Sequence, residues 1–269
     1  MFHFSLPFAG AAGALDAGVL LAVLSGALVA LLLTLFGGGG SVLATPLLLY
    51  VVGVQDPHVA IGTSAAAVAV NAAAGLAAQA RAGRVKWPCA LTFGAPGLVG
   101  SLAGAHLAKS LPGDRLLAWF ALAMAAVGLS MLRAPRSPGD PIVRIDPAKA
   151  ARLVPVGAAT GLAAGFFGIG GGFLIAPGLM AATGMTLANA AASSLVSVTL
   201  FGAATSVSYA ASGLVDGRLF LALVGGGAVG VLAGARLAPR LAARVLLARR
   251  LFAAMVVATA AYVAWRALA

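Results

Sequence analysis

The residues best placed to do chemistry in this 269-residue chain are two glycine clusters, Gly37-Gly38-Gly39-Gly40-Ser41 and Gly168-Ile169-Gly170-Gly171-Gly172. Each stands between a long apolar run and a short one that contains a proline, Pro46 in the first case and Pro177 in the second. Glycine admits positive φ and close backbone approach, so a helix can break there and restart. A restarting helix points unsatisfied N–H groups and the positive end of its dipole into the gap, which favours an anion. Two such ends facing each other near the middle of a membrane make an anion site without a buried lysine. The backbone at Gly39, Gly40, Gly170, Gly171 and Gly172 would supply the donors, Ser41 stands where the second copy has Gly172, and Pro46 and Pro177 would set the short-helix geometry. The competing reading is that the glycines only permit tight packing or a kink.

A second constellation follows each short run: Ala60-Ile61-Gly62-Thr63-Ser64 with Asn71, and Ala190-Ala191-Ala192-Ser193-Ser194 with Ser197. The hydroxyls of Thr63, Ser64, Ser193 and Ser194 can hydrogen-bond an oxyanion at low desolvation cost. They can equally bond their own helix carbonyls or bridge helices. Their shared position, at the start of the helix after each break, favours the binding role. Asn71 is a weaker candidate, because its matching position is Phe201. A third signal, Gly97-x-x-Gly100-x-x-x-Gly104 repeated as Gly227-x-x-Gly230-x-x-x-Gly234, reads as a close-packing seam. Lys109 and Arg236, at the ends of those helices, read as snorkelling interfacial residues.

Enzyme chemistry fits poorly. It needs an acid–base group or a metal, yet His3, His58 and His106 are scattered near span ends and the single cysteine, Cys89, excludes a multi-cysteine site. No catalytic residue, metal or cofactor is expected. Gly168 to Phe173 lacks the dinucleotide fingerprint, since its sixth position is Phe and no strand precedes it. Asp16 near the outer end of the first span, Asp56 and His58 flanking Pro57, and Asp216 after Gly213 read as solvated end or loop residues, although gradient coupling could run through Asp56 or His58.

The elements that must position these groups are membrane spans. The chain is 62% hydrophobic and 9% charged, with a mean hydropathy of +1.06, against about 25% charged residues in a soluble domain. Runs long enough to cross about 30 Å of hydrocarbon are Ala17 to Phe36, His58 to Ala80, Pro88 to Ala108 and Leu116 to Leu132 in the first half. The second half has Leu153 to Phe167, Thr186 to Ala211, Leu219 to Leu237 and Val245 to Trp265. Val42 to Val54 and Phe173 to Ala182 are shorter and read as half-helices or re-entrant segments. The expected fold class is therefore all-α: a polytopic helical membrane protein of two homologous halves, each with about four full spans and one short helix.

The halves repeat. At an offset of 130, Gly83, Val85, Gly97, Val99, Gly100, Leu102, Ala103, Gly104 and Ala105 recur as Gly213, Val215, Gly227, Val229, Gly230, Leu232, Ala233, Gly234 and Ala235. The expected organisation is a first membrane repeat over 1–133, a polar cytoplasmic linker over 134–150 and a second repeat over 151–269. The formal charge of +11 comes from 17 Lys and Arg against 6 acidic residues, all Asp. In a chain this apolar such charge points to cytoplasmic loops and anionic headgroups rather than nucleic acid. If the short segments cross, the clusters at Arg81 to Lys86, Arg133 to Arg152 and Arg236 to Arg250 share one side, and the repeats are inverted. The N-terminus lacks a basic n-region, so the first run reads as a retained signal anchor.

The two motifs GGGGSVLATPLLLY and GIGGGFLIAPGL, each followed by the A-x-G-T-S or S-S stretch, a Gly-Val turn and the GxxGxxxG helix, resemble the sulfite exporter TauE/SafE family of bacterial membrane transporters. The resemblance covers essentially the whole chain. It implies a multi-pass inner-membrane protein with about eight spans that moves sulfite, sulfonates or related organosulfur anions. The expected function is an anion permease working by alternating access, with the lipid bilayer and a small anion as partners and room for a homo-oligomer. A passive anion channel or a non-transporting membrane scaffold are the alternatives. Gly40→Leu and Gly171→Leu are each expected to abolish anion transport while the protein still reaches the membrane. Unaltered transport in both would remove the broken-helix site.

Overall fold

The computed structural model describes residues 8–132, 139–168, 172–242, 253–254, 256–263 and 265. The chain begins with α1 (Phe8–Phe36), followed by an interrupted segment of 3₁₀ turns (Gly37–Leu43), α2 (Ala44–Leu47) and a π turn (Leu48–Val52). Then come α3 (Pro57–Arg81), α4 (Trp87–Lys109), α5 (Gly113–Leu132), α6 (Pro147–Phe167), α7 (Gly172–Thr183), α8 (Leu187–Ala210) and α9 (Gly217–Ala242), with further helical residues at 256–263.

Local chemistry starts these helices. Asp56, Asp146 and Thr186 occupy the N-caps of α3, α6 and α8, and their side chains accept backbone N–H groups from His58, Lys149 and Asn189. Prolines fill the first turns of α3, α4 and α6, where a missing N–H has no partner to lose. With cap and proline together, α6 begins at Pro147, ahead of the Leu153 start read from hydropathy. The last linker residues form its first turn.

Among the described residues, six helical runs are long and apolar enough to cross a membrane: Ala17–Val52, Pro57–Arg81, Trp87–Lys109, Pro147–Phe167, Leu187–Ala210 and Gly217–Leu237. Leu20, Val99, Val207 and Leu221 are 60 to 70% exposed, an apolar surface suited to lipid rather than water. No charged side chain is buried among the described residues; the polar part of the interior is made of Ser, Thr and Asn71. The protein is a polytopic helical membrane protein.

Contacts between glycines and backbone define how the helices run. Phe93, Gly97 and Ser101 of α4 meet Gly157, Gly161 and Gly165 of α6 in ascending order, so the two helices are parallel. Val23 and Ala27 of α1 meet Gly226 and Gly230 of α9 in the same way, and Leu31 with Thr34 meets Gly234. α3 and α8 cross antiparallel: Gly62 lies at Tyr209, Ala65 and Ala69 at Gly202, and Gly75 at Leu195. The glycine stripe of α4 and its counterpart in α9 are thus seams, as their spacing suggested, and each seam joins α4 or α9 to the leading helix of the opposite half.

These directions sort the helix ends onto two faces. Lys86 and Lys149 both lie within electrostatic reach of Cys89, the Lys86 N–H reaches Ser193 early in α8, and Asp140 bridges to Met185 before it. Arg81, Arg84 and Lys86 therefore share one face, the basic face, with Arg144, Lys149 and Arg152. On the opposite face, the Lys109 face, Lys109 Nζ donates to the Ser208 carbonyl and to Ser212 at the end of α8, and Pro57 lies against Gly113.

A methyl group added at Gly161 would fall into the backbone of Gly97, whereas one at Gly225 of α9 meets nothing within 4 Å. Gly161→Val is expected to cost about 1–3 kcal/mol or more and to lower the melting temperature of the detergent-purified protein. Gly225→Ala should stay within about 0.5 kcal/mol of the parent. Equal melting temperatures for all three proteins would rule out the α4–α6 seam.

Candidate functional site

The two helix breaks meet. Gly37, directly after α1, and Gly168, the C-cap of α6, take left-handed conformations with φ of +67° and +65°, backbone geometry that L side chains rarely adopt. Gly38, the next residue after Gly37, and Gly172, the first residue of α7, lie backbone to backbone: a Cβ on Gly38 would sit on the Gly172 Cα, and one on Gly172 would overlap the Gly38 carbonyl. All of Gly37–Leu43 is buried. Gly37 rests on the backbone of Ala191 in α8, and Gly40 rests on Leu32 and Leu33 of α1. Gly39 is buried beside them, while Gly170 and Gly171 lie outside the described residues. Pro46 is buried within α2, whereas Pro177 in α7 is exposed, so the two prolines are not equivalent in packing.

Ser41, Thr63, Ser64, Ser193 and Ser194 all lie inside the protein, and each has a hydrogen-bond partner there. Ser194 Oγ accepts the Gly38 N–H at 3.0 Å and donates to the Ala191 carbonyl at 2.8 Å. It is the one side chain seen to answer a backbone N–H of the break. Ser41 Oγ donates to the Gly38 carbonyl at 2.7 Å. Ser64 donates to the Ile61 carbonyl at 3.0 Å and pairs with Thr45 Oγ1 at 2.8 Å. Its single hydrogen cannot serve both bonds, so Thr45 is the donor in the second.

Thr63 and Ser193 lie further from the breaks and form a matched pair of latches. Thr63 Oγ1 accepts the Asp216 N–H at 2.9 Å, and Ser193 Oγ accepts the Lys86 N–H at 2.9 Å. Each bond ties the helix after one break to the turn before α4 or α9 in the opposite half. Because the donors are backbone groups, no residue type in the turns signals the contact. Asn71 is buried against Gly227 of α9, in the relation that Phe201 bears to Gly97 of α4. It plugs a glycine notch, which accounts for the Asn–Phe mismatch between the copies.

Thr45 had no place in the sequence reading, and its pairing with Ser64 brings it into the cluster. Ser197, Thr205 and Tyr209 of α8 are also fully buried, with side-chain oxygens that have no hydrogen-bond partner. Ser197 already stands beside Ser193 and Ser194 in the sequence reading, whereas Thr205 and Tyr209 would have been found only by following the i, i+4 polar positions along the span. Among the described residues no three His, Cys or Asp side chains gather as a metal site. What converges at the breaks is backbone amide and hydroxyl, a donor set suited to a weakly hydrated anion.

Residues 22–263 match the model of the family described as sulfite exporter TauE/SafE. A protein of Xylella fastidiosa strain Temecula1, named a probable membrane transporter protein, is 48% identical over 249 residues, which is 91% of this chain and 94% of that protein. Its counterpart in strain 9a5c, with the same name, is 47% identical over the same shares. The probable membrane transporter protein YunE of Bacillus subtilis is 31% identical over 214 residues, covering 72% of this chain and 78% of its own length. No solved structure matches the chain.

A side chain at Gly40 displaces α1 as well as any ligand, so Ser194 is the sharper probe of the break. Ser194→Ala leaves the buried Gly38 N–H without its acceptor and is expected to destabilise the protein by about 1–3 kcal/mol, read as a lower melting temperature in detergent. Ser110→Ala, at an exposed hydroxyl that donates to the Leu107 carbonyl, should change it far less. The pairing loses its role if the two variants melt together.

Proposed function

Because the chain belongs to the sulfite exporter TauE/SafE family of membrane transporters, we propose that it is a permease for a small sulfur oxyanion or organosulfonate, which binds between the two helix breaks. The observation that carries this reading is the direct meeting of Gly38, which follows the left-handed Gly37 at the end of α1, with Gly172, which opens α7 after the left-handed Gly168 at the end of α6. No other part of the described interior brings interrupted backbone from both halves to one place.

In the arrangement described, the Gly38 N–H and Ser194 are spent on each other. These bonds act as placeholders. When the breaks part, the amide and hydroxyl exchange an intramolecular bond for one to the anion, so little polar surface is left unanswered at any stage. Aligned peptide dipoles add positive potential at the gap without a buried cation to desolvate. The remaining hydroxyls of Ser41, Ser64 and Thr45 stand close enough in sequence and hydrogen bonding to follow the same exchange.

The halves are proposed to be inverted repeats that rock about this centre. Three observations support that reading. Left-handed glycines recur in register, Gly37 with Gly168, Gly53 with Gly184 and Gly83 with Gly213. The latches Thr63–Asp216 and Ser193–Lys86 exchange when the halves are interchanged. Equivalent helices α3 and α8 cross antiparallel, as an axis in the membrane plane requires. With Arg81, Arg84, Lys86, Arg144, Lys149 and Arg152 on one face, the positive-inside bias makes that face cytoplasmic, in a bacterial inner membrane.

Anion-dependent thermal stabilisation of the purified protein tests the reading, with sulfite, thiosulfate, sulfate, taurine, sulfoacetate and chloride as the panel. A ligand at 100 times its Kd stabilises the folded state by about 2.7 kcal/mol. The expected result is a selective shift with a sulfur oxyanion or sulfonate that shrinks at least tenfold in apparent affinity in Ser194→Ala. A shift of equal size for every anion, chloride included, or none for any of them, would overturn it.

A further inference from the structure

Apart from the breaks, the described interior has one other concentration of unanswered polarity, on the face of α8 that turns toward α3 and α4. Ser197, Thr205 and Tyr209 lie on this face at helical spacing with Phe201 between the first two, and all are fully buried. Ser197 Oγ, Thr205 Oγ1 and the Tyr209 hydroxyl have no hydrogen-bond partner, and neither has the buried Nδ1 of His58. Each unpaired group of this kind costs of the order of 1–3 kcal/mol, and four along one path call for an explanation.

The four are spatially ordered. His58 opens α3 on the Lys109 face, and its ring lies 6.3 Å from that of Tyr209 at an interplanar angle of 31°. Along α8 Thr205 lies about one turn further into the helix than Tyr209. Ser197 continues the row toward the centre. Equivalent positions in the first half are Ala188 for His58 in exchange, and Ala67, Gly75 and Gln79 for Ser197, Thr205 and Tyr209. The row therefore exists in one half only, and the repeat does not account for it.

We propose that this face of α8, entered past His58, carries protons from the Lys109 face toward the helix breaks, and that anion movement is coupled to them. The inference rests on the permease reading above. His58 takes the proton at its buried, unpartnered Nδ1. Hydroxyls, each both donor and acceptor, relay it inward with intervening water. Coupling of this kind needs no buried carboxylate.

Other titratable and charged groups at this end are few. Asp56 on the approach to α3 accepts the His58 backbone N–H through Oδ1 at 2.8 Å. Lys109 of α4 places Nζ 5.9 Å from the Tyr209 ring centre and is held there by Ser208 and Ser212. Asp216 caps α9 by accepting the N–H groups of Arg218 and Leu219. His106 in the last turn of α4, Arg115 of α5 and Arg218 of α9 are exposed. None of them faces inward along α8, so His58 and Tyr209 are the groups by which protons enter.

The test uses the full-length protein in liposomes, with radiolabelled sulfite and sulfoacetate as probes and two readouts, exchange at equal pH and net accumulation driven by an acid step across the membrane. His58→Gln and Tyr209→Phe keep volume and ring packing. Both are expected to exchange anion within about twofold of the parent and to lose pH-driven accumulation at least tenfold. Accumulation at the parental level in both variants, or a parent that exchanges anion and ignores the pH step, overturns proton coupling and leaves the permease reading standing. A parent that exchanges neither probe overturns the permease reading, and this inference with it.

Discussion

A helix broken inside a membrane leaves amide and carbonyl groups that lipid cannot satisfy, and the rest of the architecture depends on how that demand is met. Here the two breaks are buried against each other, Gly38 on Gly172, so that each shields the other's backbone. Glycine allows so close an approach, and what remains is answered from within the break by Ser41, which donates to the Gly38 carbonyl, and from a third element. α8 supplies Ser194 and the Ala191 backbone for this purpose. The antiparallel crossing of α3 with α8 holds those groups at the centre, and the α1–α9 and α4–α6 seams close the structure around it. Carbonyls seated in glycine notches account for the small-residue stripes without reference to any ligand.

Much of this was legible in the residues. Hydropathy located the spans because a membrane imposes one length and one composition on every crossing segment. Glycine clusters located the breaks because no other residue takes positive φ cheaply, and the same constraint put Gly37 and Gly168 in matching conformations. The start of α6 at Pro147, capped by Asp146, escaped a reading by hydropathy because its first turn is polar. The partners of Thr63, Ser193 and Ser194 could not be read either. All three hydroxyls bond backbone N–H groups distant in sequence, and a backbone donor has the same identity at every position. Asn71 looked like a site residue because it is polar in an apolar run; its environment shows a plug in the place where the other copy has Phe201.

Where the halves agree, the shared feature is structural: turns, seams and latches. Where they differ, the difference is polar. Thr45 beside Ser64 has an alanine, Ala176, as its counterpart, and the α8 row Ser197, Thr205 and Tyr209 has Ala67, Gly75 and Gln79 as its counterparts. With no charged side chain buried among the described residues, these unshared groups are the interior polarity that distinguishes one repeat of the sequence from the other.

The pairing of helices across the halves also bears on how the chain is made. α1 has its glycine-fitted neighbour in α9, and α4 has its own in α6. α1 must therefore remain in lipid, with the backbone surface destined for Gly226, Gly230 and Gly234 uncovered, until α9 has been inserted. Synthesis that stops short of α6 leaves both seams with one wall each and nothing to close them.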